Sequence, residues 1–455
     1  MDTRLRVVWS TLLIAAFVMG FTVSGSAVEP SKSKDPFPIL IKEKKVRPIA
    51  GKINDLPKAP KLGDYFSARS ASCDSIMVQY GIQSEPKEGI ELRLLQNTDE
   101  IQRIKVKGRC GRVVFRGLFP STEYRVNASW THLANTENEN APVYSVSSKS
   151  VVCRTSDLPI GKCLLKFAAV SDTHVSIITR PGGRMHCKSA EILKDVCADA
   201  NRRACSAMII AGDLTDANLP EEYKRAKESL SEYRGSLLIA PGNHDDRTPE
   251  TEIWRSHFGS DAGLKMIDGF QFLWLNTANG KLNKPANLAA IDQLNPDRPA
   301  VIFSHMQLVP DDYLNDKGKV IRDGKEVREQ LEKIGRSRSI IYIGHKNVAT
   351  TAKLGQVLQM NLPQTTQFPA GWLEAEICPE GIYHRFIPSC SAELEELSRL
   401  LNGGMMKGIG YRDRFSFEIW NRFVPWPKTG LKNDAAVPVK KRDSKKMEKS
   451  SSLNP

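Results

Sequence analysis

The chain has 455 residues, 40% hydrophobic and 26% charged, with a formal net charge of +13. That length predicts two or three domains with a sizeable core, and the composition is that of an ordinary globular protein. Eleven of the thirteen charges sit in the first six residues, in 28–62 and in 425–455, leaving 63–424 at +2; the folded part therefore lacks a strong nucleic-acid signature.

In chain order, Arg4 and Arg6 precede a mostly apolar run from Val7 to Val23, and Gly25-Ser26-Ala27 supplies small residues after it. Residues 1–27 read as a secretory signal peptide cleaved after Ala27, with an uncleaved anchor as the alternative. Either reading exports the chain to the periplasm, the cell envelope or the medium. No other apolar run is long enough to cross a membrane. Residues 28–61 form a Lys/Pro-rich linker, and 425–455 a basic tail with too few apolar residues to fold. Both are read as solvated tethers, with attachment to an anionic cell envelope as the functional alternative. Nine cysteines suit an oxidising compartment, but the odd count leaves one unpaired and no spacing resembles a zinc knuckle. Disulfides and buried free thiols remain equal alternatives.

From 62 to 156 short strands alternate with turns. SIMVQYGI, ELRLLQ, RVVFRGL, TEYRVNASW and SVSSKSVVCRT predict an all-β sandwich of about a hundred residues. The stretch GLFPSTEYRVNASW resembles the late part of a fibronectin type III domain. The resemblance implies a tyrosine corner at Tyr124.

From 162 to 388 the rhythm changes. Strands LLKFAAVSD, SAMIIAGD, SLLIAPGN, FQFLWLNT, PAVIFSH and SIIYIGH alternate with helices, clearest in SAEILKDVCADANRR and EEYKRAKESLSEYR. This is an α/β (α+β) pattern with buried strands. Residues 389–424 follow as an extension packing on this domain, with a helix in SCSAELEELSRLLNGG and a strand or two in GIGYRDRFSFEIW.

Almost every strand of this region ends in a metal-ligating type of residue: Asp172 and His174, Asp213, Asn243 with His244 and Asp245, His305, then His345 and Asn347. One carboxylate after a strand means little, because turns favour Asp. Five strand ends in succession are different. Ligands bind outside one edge of such a sheet, and converging carboxylates and imidazoles there need cations to neutralise them.

The order Asp172-x-His174, Gly212-Asp213, Gly242-Asn243-His244-Asp245, His305, Gly344-His345 resembles the calcineurin-like metallophosphoesterases. The resemblance implies a four-layer α/β/β/α sandwich around two divalent or trivalent metal ions, Fe, Mn or Zn. By resemblance, Asp172 and His174 bind the first metal, Asp213 bridges, and Asn243, His305 and His345 complete the second. His244 contacts the phosphate and protonates the leaving oxygen, and Asp245 orients His244. The implied activity is hydrolysis of a phosphomonoester or phosphodiester by metal-activated hydroxide. One departure weakens the first-metal site: Asn347 stands where the family commonly has a second histidine, and an amide oxygen is a poorer ligand than imidazole for most transition metals. The domain order resembles that of purple acid phosphatases, but Asp216 stands where those enzymes have a tyrosinate. His186, in the loop TRPGGRMHCKS with Arg180 and Arg184, is a candidate for substrate binding. His132, His257 and His384 have no partner motif and read as structural. The rival reading is a catalytically impaired binding protein on the same fold.

Overall fold

The computed structural model describes residues 64–133, 144–246, 252–311, 320–346, 348–402 and 417–428. The expected signal peptide, the linker, most of the basic tail and Asn347 lie outside the described residues.

Seven antiparallel strands come first: β1 (Tyr65–Ser72), β2 (Ser75–Gly81), β3 (Pro86–Gln96), β4 (Asp99–Val106), β5 (Cys110–Arg116), β6 (Glu123–Leu133) and β7 (Tyr144–Arg154). They form two sheets, ordered β1-β2-β5 and β4-β3-β6-β7. Strand alternation explains the packing. Ile90, Leu92 and Leu94 of β3 point inward with Ile76 and Val78 of β2 and Val126 and Ala128 of β6. The Tyr124 hydroxyl accepts a hydrogen bond from the Phe119 backbone N–H at 2.9 Å, the geometry of a tyrosine corner.

The second region alternates strands and helices: β8 (Leu165–Val170), α1 (Ser189–Arg202), β9 (Ala207–Ala211), α2 (Pro220–Leu230), β10 (Ser236–Ala240), α3 (Glu252–Phe258), β11 (Gly263–Ile267), β12 (Phe270–Leu275), α4 (Pro285–Asp292), β13 (Ala300–Ser304), α5 (Arg328–Gly335), β14 (Ser339–Ile343), β15 (Thr351–Leu354), β16 (Val357–Asn361), β17 (Gly371–Cys378), β18 (Gly381–Pro388), α6 (Ala392–Leu401) and β19 (Phe423–Pro425). Two six-stranded sheets result, β10-β9-β8-β17-β18-β19 and β11-β12-β13-β14-β16-β15. Strands β8, β9 and β10 run parallel, as do β12, β13, β14 and β16.

Their apolar runs are continuous because both faces are covered. Phe167 and Ala169 of β8 face the second sheet, where Phe167 meets Phe272 and Tyr342 edge-on at 5.6 and 5.8 Å. Ala168 and Val170 face the other way, toward Ile192, Leu193 and Val196 of α1 and Tyr223 of α2. On the second sheet Ile302, Ile341 and Ile343 pack on Ile291 of α4 and on Leu331 and Ile334 of α5. The layers are therefore α/β/β/α, and every parallel strand delivers its C-terminal end to one edge.

Helix α6 touches three things at once. Its Glu395 pairs with Arg112 of β5, and Arg112 also donates to the Cys390 carbonyl at 2.5 Å. Its Ser398 hydroxyl donates to the Gly183 carbonyl at 2.5 Å and accepts from the Phe368 N–H at 2.9 Å. Asn402, just past its end, donates to the same carbonyl at 2.8 Å. The part of GIGYRDRFSFEIW that is described, Phe417–Ile419, is a 3-10 turn rather than the expected strand, and β19 follows it. Phe417 is held there by Arg69, whose guanidinium lies 4.2 Å from its ring centroid. All nine cysteines are free thiols, and Cys153, Cys197, Cys205 and Cys378 are buried. No helix among the described residues is long and apolar enough to cross a membrane.

Candidate metal centre

The site is built at the strand ends, from backbone first. Asp172, His174, Asp213 and His345 all have positive φ, between 42° and 67°. Left-handed backbone is costly for residues with a Cβ, and its concentration at four such positions marks a functional turn set. Two glycines make the close approach feasible. A Cβ at Gly242 would collide with the backbone and carboxylate of Asp213, and one at Gly344 with Ser171 Oγ, the Ala211 carbonyl and the Asp172 carboxylate.

The side chains then converge. His305 Nδ1 faces the Ala211 carbonyl at 2.9 Å, which makes that nitrogen the donor and leaves Nε2 as a lone pair. Nε2 lies 3.0 Å from Asn243 Oδ1 and 3.2 Å from Asp213 Oδ2. Nε2 and these two oxygens can meet in this way only around a proton or a cation. Asp213 Oδ1 is held by the His244 backbone N–H at 2.9 Å. Asp172 Oδ2 accepts from Ser171 Oγ at 2.5 Å and the His345 N–H at 3.0 Å. Its Oδ1 lies 3.7 Å from His174 Nε2, which is 3.6 Å from Asp213 Oδ2. His174 is fully buried and neither ring nitrogen makes a hydrogen bond. Two potential ligand groups emerge, Asp213–His305–His345 and His174–Asp213–His244, with ligand atoms within 4.8 Å of one another in each. They share Asp213. Imidazole and carboxylate donors in this arrangement fit a pair of divalent or trivalent cations.

Charge follows the same logic. Burial alone would raise the Asp172 carboxyl, yet His174 and His305 hold it at about 2. Burial likewise opposes ionisation of Asp213, but His305, His174 and His244 keep it well below the carboxylate range. Burial disfavours a charged His305, but Asp213 carries its pKa up to about 9. The carboxylates are thus ionised, and in the absence of metal a proton on His305 neutralises them.

The expected role of Asp245 is corrected. Its carboxylate does not orient His244. It accepts from the N–H groups of Leu214, Gly242 and Thr215 and from the Thr215 hydroxyl, at 2.7–3.0 Å, and so ties the Gly-Asp turn to the Gly-Asn-His turn. Burial and the nearby Asp213 push it up to about 6. The His244 ring is instead fixed by the Asp216 carbonyl, 2.6 Å from Nδ1. Burial lowers the His244 pKa. His244, expected outside the ligand set, lies close enough to His174 and Asp213 to belong to it.

Asp216 is the residue the sequence reading missed. Its Oδ1 lies 3.3 Å from His174 Nδ1, 3.3 Å from His186 Nε2, 3.5 Å from His244 Nδ1 and 3.9 Å from Arg184. Burial opposes its charge, but His174 and His186 hold the carboxyl far below its usual range. His186 is therefore at the site, on a 3-10 turn (His186–Lys188) beside Arg184. Beyond His345, the buried Lys346 pairs with Asp311.

Residues 165–349 match the sequence profile of the calcineurin-like phosphoesterase family. That segment is similar to the phosphoesterase domain of this family. The chain also resembles two curated proteins. It is 29% identical over 187 residues to the glycerophosphodiester phosphodiesterase GpdQ of Enterobacter lignolyticus, covering 38% of this chain and 67% of that one. It is 24% identical over 231 residues to a probable cyclic nucleotide phosphodiesterase of Synechococcus, covering 48% and 89%. Among solved structures, a dimetal phosphatase from Danio rerio matches 50% of this chain and 98% of its own, with 12% identity and a TM-score of 0.41. A purple acid phosphatase from yellow lupin matches 72% of each chain, with 11% identity and a TM-score of 0.39. These matches support a metal-dependent phosphoric ester hydrolase.

Proposed function

We propose that the chain is an exported phosphoesterase that hydrolyses a phosphodiester or phosphomonoester at two cations sharing Asp213. The observation that carries this reading is the pair of ligand groups joined by that one carboxylate. Asn243, His305 and His345 hold one cation with Asp213; Asp172 and His174 hold the other. Bound there, two cations supply Lewis-acid activation of a phosphoryl oxygen and a water of lowered pKa. The chain's own residues do the rest. Asp213 keeps the two sites together. Asp216, 3.3 Å from Nδ1 of His174, stands where a carboxylate commonly orients a ligating imidazole. His244, with Nδ1 on a carbonyl, turns Nε2 toward the substrate and donates to a phosphate oxygen when protonated. Arg184, partly exposed at the rim beside His186, offers positive charge to the rest of the ester. Asp245 holds the turn that carries Asn243 and His244.

Phosphodiesters are the first substrates to test, since both curated relatives are named as phosphodiesterases. Export rests on Arg4, Arg6, the apolar run and Gly25-Ser26-Ala27. The basic flanks support attachment to an anionic envelope, and the β-sandwich with its tyrosine corner supports a fibronectin type III-like positioning module. Asn347 supports the rival, a non-catalytic binding protein. The deciding experiment measures metal content together with hydrolysis of bis-p-nitrophenyl phosphate and p-nitrophenyl phosphate. The expected result is two metals per chain, turnover, and a loss in kcat of about 10²–10⁴ in His244→Ala. A chain with one metal or none, inactive until Asn347→His restores turnover, would establish the binding protein instead.

A further inference from the structure

The segment from Leu362 to Ala370 runs, wholly buried, from the end of β16 to the start of β17. It crosses beneath the tip of β8. The Leu362 N–H donates to the Ile343 carbonyl at 2.8 Å, Thr365 donates through N–H and hydroxyl to the Ser171 carbonyl at 3.1 and 2.8 Å, and the Thr366 hydroxyl donates to the Asp172 carbonyl at 3.3 Å. On the other side the Gly371 N–H donates to the Gln364 carbonyl at 3.0 Å. Gln364 is therefore fixed by main-chain bonds on both sides, against the turn that carries Asp172.

Its side chain is 2% exposed. The amide Nε2–H donates to Asp172 Oδ1 at 3.3 Å, and Oε1 has no hydrogen-bond partner. A buried amide oxygen without a partner is costly, and a leucine would fill the same volume without that cost. Asp172 Oδ1 is also the oxygen that faces His174 Nε2. The two ends of a glutamine amide exchange by a half-turn about its last torsion. That turn would place Oε1 beside Asp172 Oδ1, so that Gln364, Asp172 and His174 could together hold a cation. By the resemblance to the calcineurin-like phosphoesterases, Asn347 stands where a second histidine would serve this cation.

We propose that Gln364 is a ligand of the Asp172–His174 cation, through its side-chain oxygen, and makes up for the imidazole that Asn347 replaces. The proposal rests on the two-cation reading above. The test is titration of the metal-stripped full chain with Mn²⁺ by calorimetry, with elemental analysis of bound metal after dialysis, for the wild type, Gln364→Leu and Gln364→Glu. Wild type takes up two Mn²⁺. Gln364→Leu keeps one at unchanged affinity and binds the other at least tenfold more weakly. Gln364→Glu, which retains the oxygen, keeps two at wild-type affinity or better. Two sites of wild-type affinity in a folded Gln364→Leu would overturn the proposal and leave the two-cation reading intact. A tenfold loss in Gln364→Glu would also overturn it, because it would mean that the amide serves Asp172 as a donor; this arm decides the matter if Gln364→Leu does not fold. A wild-type chain that binds no Mn²⁺ would overturn both readings.

Discussion

Asp245 and Asp216 exchange the parts that their positions suggest. Asp245 follows His244 in sequence, yet all four hydrogen bonds to its carboxylate come from the turn around Leu214 and Thr215 and from Gly242. Its replacement by asparagine puts an amide N–H₂ against at least one backbone N–H in either orientation. Asp245→Asn is expected to cost about 3 kcal/mol of stability, from lost bonds and unsatisfied buried N–H groups, measured by urea unfolding. The metal-ligating residues were legible because each terminates an apolar strand, where a polar residue stands out. Asp216 and Gln364 carry no such mark. An aspartate in a turn is common, and a glutamine gives no signal until the chain folds it onto Asp172, 192 positions away. The Lys346–Asp311 pair was hidden for the same reason.

At the scale of elements, periodicity located the strands from β8 to β14 whose faces are both buried and the helices α1, α2 and α6. It missed β1, β4, β11 and β15 to β19, the wholly buried β17 among them. Strand β4 is DEIQRIKV, with no residue fully buried, and β11 exposes Lys265 and Met266. Strand β1, YFSARSAS, has few strand-forming residues; its place is set by β2 and by Arg69, stacked on Phe386 and Phe417. Tertiary packing overrides propensity there. Helix α6 was readable as a helix, but its work was not. It clamps the loop of Arg184 and His186 through Gly183. Asn402→Ala is expected to raise KM severalfold by loosening that loop, with metal stoichiometry unchanged, as steady-state kinetics and elemental analysis would show.

The molecule as a whole is joined through buried polar contacts as well as apolar ones. Arg112, on the sandwich, is the partner of Glu395, whose side chain is fully buried. Arg112→Ala strands that carboxylate and is expected to cost about 3 kcal/mol, read as a lower urea midpoint. Between the two catalytic sheets, His384 accepts from the Tyr342 hydroxyl at 2.7 Å and donates to the Arg422 carbonyl at 3.2 Å. Burial lowers its pKa to about 3. The unfolded chain protonates this histidine below about pH 6.5 while the fold does not, so its contribution is complete above that pH and is lost as the pH falls. Between pH 6 and 4, stability should fall by up to about 1.4 kcal/mol per unit less steeply in His384→Gln than in wild type, followed by denaturant titration across pH.

The buried thiols have a further consequence. Cys197 of α1 and Cys205 lie in the layer that backs β8 and β9, the strands that deliver Asp172 and Asp213. Burial pushes both up to about 12, so neither forms a thiolate in the closed fold. Alkylation must then wait for that layer to open, and opening it displaces the strand tips that carry Asp172 and Asp213. The chain thus carries its own clock. The rate at which these two sulfurs are modified measures how often the layer opens, and bound metal slows the clock in proportion to how tightly the strand tips are held.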